Sequence, residues 1–375
     1  MEDLLFKKRH LASVAIFAAA AITLSACAGS DAPAEGDVDA AKATSAEDFG
    51  GLEGLVAAAQ AEGELNVIAL PENWANYGKI ITAFEEKYDI TVNSADPDVS
   101  SAEEITAAEN LKGQDTAPDV FDLGTAVALE STDQFAPYQV ETWDDIPAEN
   151  KEETGLWVND YTGLMSIGYN EDLVDAPESL DDLLGADYKG KVAINGDPTQ
   201  AGAAFAAVGL AAIQSGGTVD DFQPGIEFFA ELNDEGNFLP LDPTPATIAS
   251  GETAVVFDWS YNNLAEAQNV PSWKTVVLDG PSYGAYYNQA VNVDAPNPAA
   301  ARLWQEFIFS DEAQNLYLEA GAYPVRLAAM EEAGTVDSAA AETAGSAPEE
   351  LLSPDTAQTD AANALLAEQW ATVLG

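Results

Sequence analysis

The chain has 375 residues, and its 65 acidic and 13 basic side chains give a formal charge of −52 at pH 7. A surface this acidic repels nucleic-acid phosphates and anionic lipid headgroups, which excludes a nucleic-acid partner. The single histidine, His10, and the single cysteine, Cys27, both lie near the N-terminus. Nucleophilic systems that need histidine or cysteine, and zinc sites built from them, are therefore excluded for the rest of the chain.

The first 26 residues have the order of an export signal. A positive cluster at residues 7–9 precedes the apolar run of residues 11–24. This run is shorter than the roughly 20 residues that a membrane-spanning helix needs. Residues 24–27, "LSAC", resemble the bacterial lipobox, in which the cysteine receives a lipid and becomes the mature N-terminus. We therefore expect residues 1–26 to be a lipoprotein signal peptide, and a lipid on Cys27 to anchor the protein at the extracytoplasmic face of the cell membrane.

The segment after the lipobox predicts a link between the membrane and a folded body. Residues 28–48 are small, polar and poor in aromatic side chains, so residues 27–48 are expected to be the lipidated cysteine and a disordered tether. Residues 1–26 carry three basic and two acidic side chains, so removing them changes the formal charge from −52 to −53. We interpret this charge as a feature that maintains solubility or adapts the protein to external salt, in preference to a general attraction for cations.

Strands and helices alternate in the first part of the folded body. Ser101 and Glu104 predict a capping box at the start of the second helix. The alternation indicates an α/β fold with a largely parallel sheet. The predicted strands are residues 63–70, 89–93 and 118–124, and the predicted helices are residues 73–88 and 101–112.

A second α/β set follows, and the chain ends in helices. We expect Pro224 to interrupt one of these helices. The strands are residues 163–170, 190–196, 251–259, 273–280 and 284–293, and the helices are residues 179–185, 199–217, 219–236 and 260–268, with a helical tail from Pro298 and a last helix at 359–374.

One set is inserted in the other, which predicts two lobes joined by two crossing strands, residues 163–170 and 286–293. Lobe I is expected to contain residues 49–163 and 290–375, and lobe II residues 164–289. Ligands of α/β folds bind near the carboxyl ends of strands, so the cleft between the lobes is the expected site. Closure would then occur at the crossing strands.

Several motifs, given at the end of this paragraph, resemble the extracellular solute-binding lipoproteins of bacterial ABC importers. The most similar group is the type II periplasmic-binding group that carries polyamines, ferric iron, thiamine or 2-aminoethylphosphonate. The resemblance implies a monomer without a cofactor that binds a small molecule and delivers it to permease subunits. The motifs are "FEEKYDITV", "PDVFDLG", "IGYNEDLV", "LLGADYKGKVAINGDPTQAG" and "FIFSDEAQNLYLEAGAYPVR".

The resemblance to polyamine binders implies specific ligand residues. Their aromatic pair after the first strand falls on Trp74 and Tyr77, and one of their acidic residues falls on Asp197. Their second acid would fall on Gln200, so that match fails. Further matches are ambiguous or partial, and they fall on Asp258 or Trp259 and on Tyr286, Tyr287 and Asn288. Ferric binders have adjacent tyrosines near Tyr261, where this chain has one, so iron is a weaker match.

The chemistry of these residues supports an amine cation independently of the family. Carboxylates and aromatic faces stabilise an ammonium ion in a dry cleft, and each cation–π contact contributes roughly 0.5–2 kcal/mol. The alternative is that the aromatics are core and the acids are helix caps. The candidate set is Trp74, Tyr77, Asp197, Asp258, Trp259, Tyr261 and Tyr286.

The sequence around Asp197 also allows the opposite charge. Pro198 suits the first position of a helix that Asp197 caps, and the side chain of Thr199 with nearby backbone N–H groups up to Gln200 could hold a phosphonate. A zwitterionic aminophosphonate would use both kinds of site. The arginines that follow the signal peptide, Arg302 and Arg326, are both expected to be structural.

We therefore predict a membrane-tethered receptor that captures a small solute by closure of two lobes and has no catalytic residues and no metal site. A polyamine-like amine cation is the preferred ligand, before a zwitterionic phosphonate, ferric iron or thiamine. The alternatives of another class are a secreted hydrolase that uses paired carboxylates and a sensory or adhesive lipoprotein.

Overall fold

The computed structural model describes residues 38–97, 99–345, 348 and 350–373. The predicted signal peptide, Cys27 and the first part of the predicted tether lie outside these residues. Within them the helices are α1 (Leu52–Glu62), α2 (Tyr77–Tyr88), α3 (Ser101–Leu111), α4 (Thr125–Glu130), α5 (Leu180–Leu183), α6 (Gly202–Gln214), α7 (Gln223–Asp234), α8 (Pro245–Ser250), α9 (Ser260–Asn269), α10 (Pro298–Ile308), α11 (Asp311–Glu319), α12 (Leu327–Ala333), α13 (Ser338–Ala344) and α14 (Thr356–Val373).

The strands of the same part of the chain include all those that the sequence predicts. They are β1 (Glu64–Ile68), β2 (Thr91–Ala95), β3 (Val120–Gly124), β4 (Phe135–Ala136), β5 (Val158–Asn170), β6 (Val192–Ile194), β7 (Val255–Trp259), β8 (Trp273–Val276), β9 (Ser282–Asn292), β10 (Tyr323–Pro324) and β11 (Leu351–Leu352).

Two long strands connect the two sets of elements. β5 and β9 pair with each other in antiparallel register. Beyond this shared segment, β9 pairs with β3 and β4, whereas β5 pairs with β7 and β8. The predicted crossing strands, residues 163–170 and 286–293, correspond to these two strands, so this part of the fold prediction is confirmed. Their carboxyl-terminal halves thus extend into different groups of strands.

The prediction of a largely parallel sheet is wrong. Among the described strands, parallel pairing joins β1 to β2, β6 to β7, and β11 to β9. The other ladders are antiparallel. Each of the long strands β5 and β9 comes from one group of strands and runs in the opposite direction to the strands with which it pairs in the other group. The result is a mixed sheet in the order β11-β9-β5-β7-β6, with further strands paired to β5 and β9 and with β1 and β2 as a separate pair.

A continuous apolar core joins the elements on both sides of the long strands. Small residues allow α6 to pack on α7 and on the sheet, and its residues from Ala206 to Ile213 are all buried. The residues from Val38 onwards form one compact unit. The lobe boundaries, 49–163 with 290–375 and 164–289, therefore stay a prediction. None of the described helices combines the length and the apolar character that crossing a membrane requires.

The tether prediction is wrong for residues 38–48. Short 3₁₀-helices occupy Ala40–Lys42 and Ala46–Phe49. Arg302 Nε donates a hydrogen bond of 2.7 Å to the carbonyl oxygen of Ala43, and Arg302 Nη2 donates one of 3.0 Å to that of Ala41. A side chain distant in sequence therefore holds this polar segment, which is why its local composition did not reveal its order.

Three helix starts differ from the sequence prediction. Ser100 and Glu103 form the capping box of α3, one residue before the predicted pair, so Glu104 turns inward and is buried. α7 begins around Pro224, which lies in its first turn and does not interrupt it. α6 begins at Gly202, and Asp197 instead accepts hydrogen bonds from the backbone and hydroxyl of Thr199 in its own turn.

Candidate functional site

Two buried carboxylates line a cavity of about 430 Å³ at the N-terminus of α6. Glu104 comes from α3, and Asp122 comes from the middle of β3. The rings of Trp74, which follows β1, and Tyr287, on β9, line the same cavity. None of the described residues that line it is basic. The cavity therefore combines buried carboxyl groups with aromatic surface.

The turn before α2 positions Trp74. Ala75 and Asn76 both have left-handed backbone conformations, with φ angles of 44° and 70°. For residues other than glycine such conformations cost of order 1–3 kcal/mol each and occur often at ligand sites. The Asn76 side chain donates a hydrogen bond of 2.9 Å to the carbonyl oxygen of Leu316, which holds the turn. The Trp74 indole Nε1 in turn donates a hydrogen bond of 2.7 Å to the hydroxyl of Tyr161.

Trp74 belongs to a continuous group of aromatic rings. Its centroid lies 5.0 Å from that of Tyr261 and 5.7 Å from that of Tyr287. Tyr161 stacks on Tyr287 with an angle of 13° between their planes. Trp259 lies parallel to Tyr261 at 6.4 Å, with an angle of 18°. Contacts of this kind contribute about 0.5–1.5 kcal/mol each beyond the buried area, so the wall of the cavity is rigid.

A pair of aspartates lies beneath this wall. The hydroxyl of Tyr77 lies 2.8 Å from Asp122 Oδ2 and 3.3 Å from Asp160 Oδ2. Asp160 also accepts hydrogen bonds from the Tyr161 backbone, at 2.8 Å, and from the side chains of Gln289, at 3.0 Å, and Tyr317, at 3.1 Å. Asp122 Oδ1, in contrast, accepts no hydrogen bond of normal geometry.

Burial raises the pKa of these carboxyl groups. Burial and the neighbouring Asp160 raise the pKa of Asp122 well above its ordinary value, and the side chains of Tyr77, Gln289 and Tyr161 offset this only in part. Burial raises the pKa of Asp160 to about 6, against the lowering effect of its hydrogen-bond donors. Burial and Asp122 together raise the pKa of Glu104. The hydrogen-bond donors around the pair therefore favour the ionised form of Asp160 over that of Asp122.

A second cavity, of about 840 Å³, adjoins the first. Gly202 and Tyr287 line both cavities. Several aromatic side chains line the second cavity, and they include Trp259, Tyr286 and Phe205. A ligand with a charged head and an extended body could occupy both, since each cavity falls in the size range of small-molecule sites.

The structure brings some of the sequence-predicted residues to these cavities. Trp74 lines the first cavity, and Trp259 and Tyr286 line the second. Tyr77 and Tyr261 are buried behind them. Tyr77 contacts the aspartate pair with its hydroxyl, and Tyr261 contacts Trp74 with its ring. For Tyr77 the observed role is therefore support of the site and not direct lining.

The remaining predicted residues lie elsewhere. Asp258 lines a separate cavity of about 180 Å³, because adjacent residues of a strand point to opposite faces and Trp259 takes the other face. Its carboxylate accepts hydrogen bonds from Asn195 at 2.8 Å and from Asn262 at 3.1 Å. Asp197, Thr199 and Gln200 are exposed on the turn before α6, and they line none of the cavities described above.

Sequence reasoning missed the carboxylates of the first cavity. Asp122 stands among apolar residues in the buried strand "VFDLG", and an acid in such a strand is a signal that could have found it. The capping-box prediction places Glu104 at the start of a helix, so it does not indicate that the side chain of Glu104 is buried in a cavity wall. Asp160 and Tyr161 precede the part of β5 that the sequence pattern marked as a strand.

The expectation that both arginines are structural is confirmed. Arg302 binds the carbonyl oxygens of the N-terminal segment. Arg326 binds the carbonyl oxygen of Phe309 and the carboxylates of Asp145 and Asp311. Neither arginine lines the two adjoining cavities.

The fold is the two-lobed α/β fold of type II periplasmic binding proteins, as comparison with solved structures shows. The model of a protein family, the bacterial extracellular solute-binding proteins, matches residues 117–345, which is more than half of the chain. The chain therefore belongs to this family. No curated protein sequence matches the chain.

Three solved structures illustrate the range of similar proteins. The spermidine/putrescine ABC transporter substrate-binding protein PotD from Streptococcus pneumoniae is 17% identical, with a TM-score of 0.62 over 83% of this chain and 99% of that chain. A putative extracellular solute-binding protein from Bordetella parapertussis is 15% identical, with a TM-score of 0.64 over 84% and 100%. Iron-bound HitA from Pseudomonas aeruginosa is 18% identical, with a TM-score of 0.58 over 83% and 99%. Identities this low establish the shared fold alone.

Proposed function

We propose that the protein is the substrate-binding component of an ABC importer and that it captures a small amine-bearing cation, with a polyamine as the first candidate. The observation that carries this proposal is the lining of the first cavity. Two buried carboxylates, of Glu104 and Asp122, share it with the rings of Trp74 and Tyr287, without a basic side chain among the described lining residues.

The physical chemistry of the cavity favours an ammonium group. An ammonium ion is stabilised by carboxylates, and it gains a further 0.5–2 kcal/mol or so from each aromatic face that it contacts. Asp122 Oδ1 is a buried acceptor without a hydrogen-bond partner, so an ammonium donor would satisfy it. An anion such as ferric citrate would instead place its charge beside these carboxyl groups.

The second cavity provides room for the rest of such a ligand. Its aromatic residues Phe205, Trp259 and Tyr286 suit the methylene chain of a polyamine. The carboxylates of Glu149 and Asp355 also line it and could receive a second ammonium group. The similar structures include both polyamine and iron binders, which agrees with a transport role but leaves the ligand open.

A zwitterionic aminophosphonate is the second candidate. Gly202, the first residue of α6, lines both cavities. The free N–H groups and the dipole at the N-terminus of a helix favour an anionic group. The phosphonate would then lie at Gly202 and the amine at Asp122, which moves the anion site from the predicted Asp197 to the observed start of the helix.

The wider transport role follows from the same proposal. The lipid on Cys27 would hold the protein on the extracytoplasmic face of the membrane, and closure of the two lobes about the crossing strands would retain the ligand until a permease receives it. The protein would act as a monomer. A carboxylate-dependent hydrolase would convert its substrate, whereas this receptor should return its ligand unchanged.

A thermal-shift panel tests the ligand. The chain from residue 28 onwards would be measured with putrescine, spermidine, 2-aminoethylphosphonate, thiamine and ferric citrate at matched ionic strength. A ligand at 100 times its dissociation constant should add about 2.7 kcal/mol to the free energy of unfolding. A shift with spermidine that survives raised salt supports the amine site. A shift only with the phosphonate supports the second candidate.

Two variants separate specific binding from attraction by the acidic surface. Asp122→Asn should abolish most of the spermidine shift. Asp144→Asn removes an exposed carboxylate and should leave the shift unchanged. Equal shifts in both variants would contradict the proposed site, and the absence of any shift with an amine would contradict the proposed ligand class.

A further inference from the structure

We propose that the unliganded protein stores a proton on Asp122 and releases it when an amine cation binds, so that capture exchanges one proton for one cation. This inference rests on the proposed amine-binding function and adds a proton to its stoichiometry. Three features of the site carry it: an unequal distribution of hydrogen-bond donors, the lack of a positive side chain among the described groups that face Asp122, and a buried oxygen of this cavity-lining residue that accepts no hydrogen bond.

The donors around the aspartate pair favour one ionised carboxylate. Asp160 accepts from the Tyr161 backbone N–H, from Gln289 and from Tyr317. Asp122 accepts one hydrogen bond of normal geometry, from the Tyr77 hydroxyl at 2.8 Å, while Gln289 and Tyr161 lower its pKa without forming such a bond. Two carboxylates that share a buried donor cannot both ionise without strong repulsion, so the less solvated one keeps its proton. The geometry assigns that proton to Asp122.

No positive side chain relieves this repulsion among the described groups that face Asp122. The facing groups are acids, phenols and one amide, and each of them is neutral or negative. They are Tyr77 on α2, Glu104 on α3, Asp160 and Tyr161 on β5, Tyr261 on α9, Tyr287 and Gln289 on β9, and Tyr317 on α11. The missing positive charge is therefore one that a ligand can supply.

The free oxygen of Asp122 provides the point of exchange. Asp122 lines the first cavity, and its Oδ1 accepts no hydrogen bond of normal geometry. This oxygen is buried, so an ammonium group in the cavity can donate to it once the carboxyl group of Asp122 turns toward the cavity. The O–H bond of the carboxylic acid then breaks, the proton passes to solvent, and the carboxylate formed pairs with the ammonium ion. Charge is balanced, because one positive charge enters the site and one leaves it.

The exchange makes affinity depend on pH in a defined direction. While the unliganded Asp122 is protonated, each unit rise in pH should increase the apparent association constant for an amine up to tenfold. The increase should stop once Asp122 is ionised in the free protein. Asp160 acts as a positioning residue here, because its negative charge is what keeps the proton on Asp122. Asp160→Asn should therefore move the rise in affinity to lower pH, which loss of structure alone would not do.

Isothermal titration calorimetry with spermidine measures the exchanged proton directly. Titrations at pH 7 in two buffers with different ionisation enthalpies give the number of protons released per ligand, since at this pH spermidine is almost fully protonated and Asp160, with a pKa of about 6, is mostly ionised. We expect the unmodified protein to release about one proton. Binding without proton release would overturn the inference and leave the amine-binding function intact, whereas no binding by spermidine or putrescine would overturn both.

Two substitutions locate the source of the proton. Glu104 also lines the cavity and has a raised pKa, so it is the competing donor. Asp122→Asn should remove the proton release and weaken spermidine binding more than tenfold, whereas Glu104→Gln should still release the proton. Release that persists in Asp122→Asn, or that disappears only in Glu104→Gln, would contradict the assignment to Asp122. The number of protons that the unmodified protein releases can be measured even if neither variant folds.

Discussion

Trp74 Nε1 donates a hydrogen bond of 2.7 Å to the hydroxyl of Tyr161, and this bond connects the loop after β1 to a crossing strand. Tyr161 is fully buried and stacks on Tyr287, so the bond fixes Trp74 relative to the other ring that lines the carboxylate cavity. A ligand that enters this cavity therefore meets an aromatic wall that is already in place, which lowers the entropy cost of binding.

Replacing Tyr161 with phenylalanine should weaken amine binding. The substitution keeps the ring and its stacking but leaves the Trp74 indole N–H without its acceptor, which costs about 1–3 kcal/mol. We expect a loss of stability of this size and, if the Trp74 ring moves, a several-fold rise in the dissociation constant for spermidine. Urea unfolding and calorimetric titration measure the two effects.

Tyr188→Phe provides the control for this variant. Its hydroxyl also donates a 2.7 Å hydrogen bond, to the carbonyl oxygen of Asp175, but it lies outside the two cavities. This variant should lose stability and keep its affinity for spermidine. If both variants lose affinity equally, the Trp74–Tyr161 bond has no particular role in the site.

Trp259 and Asp258 should differ in their effects on binding, although both have the same candidate role in the sequence analysis. Trp259 lines the large cavity, so Trp259→Phe, which retains an apolar ring, should weaken spermidine binding through a smaller and less electron-rich face. Asp258→Asn should leave affinity within about twofold, because Asp258 faces the small cavity and binds Asn195 and Asn262. Calorimetric titration of both variants checks the difference, and the reverse order would place the ligand in the small cavity.

Local patterns predicted most of the strands and helices, because alternation and helical spacing record which face of an element is buried. They also led to Trp74, which follows the first strand. They could not reveal the pairing of Asp122 with Asp160, since the two aspartates meet only when β3 and β5 both pair with β9. The capping box was misplaced by one residue because Ser100–Glu103 and Ser101–Glu104 fit the same pattern, and the backbone alone decides between them.

Arg302 should be required for the order of the N-terminal segment. Its guanidinium donates to the carbonyl oxygens of Ala41, Ala43 and Pro298, and a lysine cannot reach all three. We expect Arg302→Lys to release residues 38–48, which should then exchange their amide hydrogens and be cleaved by protease much faster. Hydrogen exchange measured by mass spectrometry checks this outcome.

The matched control for Arg302 is Arg326→Lys. Arg326 is also buried but binds Phe309, Asp145 and Asp311, so its replacement should destabilise the body without selective exposure of residues 38–48. If residues 38–48 are as well protected from hydrogen exchange in Arg302→Lys as in the unmodified protein, other contacts hold this segment.

Glu306 should make the protein less stable as pH rises from 5 to 8. Burial raises the pKa of Glu306 to about 7, although Tyr138 and the Glu141 backbone donate hydrogen bonds to it. Because the folded pKa lies above the ordinary value, its stabilising contribution is complete below about pH 4.5 and is lost as pH rises through about 7. The loss can reach about 3 kcal/mol. Glu306→Gln stays neutral, so its melting temperature should fall less over this range than that of the exposed-site control Glu109→Gln. If the melting temperatures of the two variants changed equally with pH, Glu306 would be ionised in the folded protein over the whole range from pH 5 to 8.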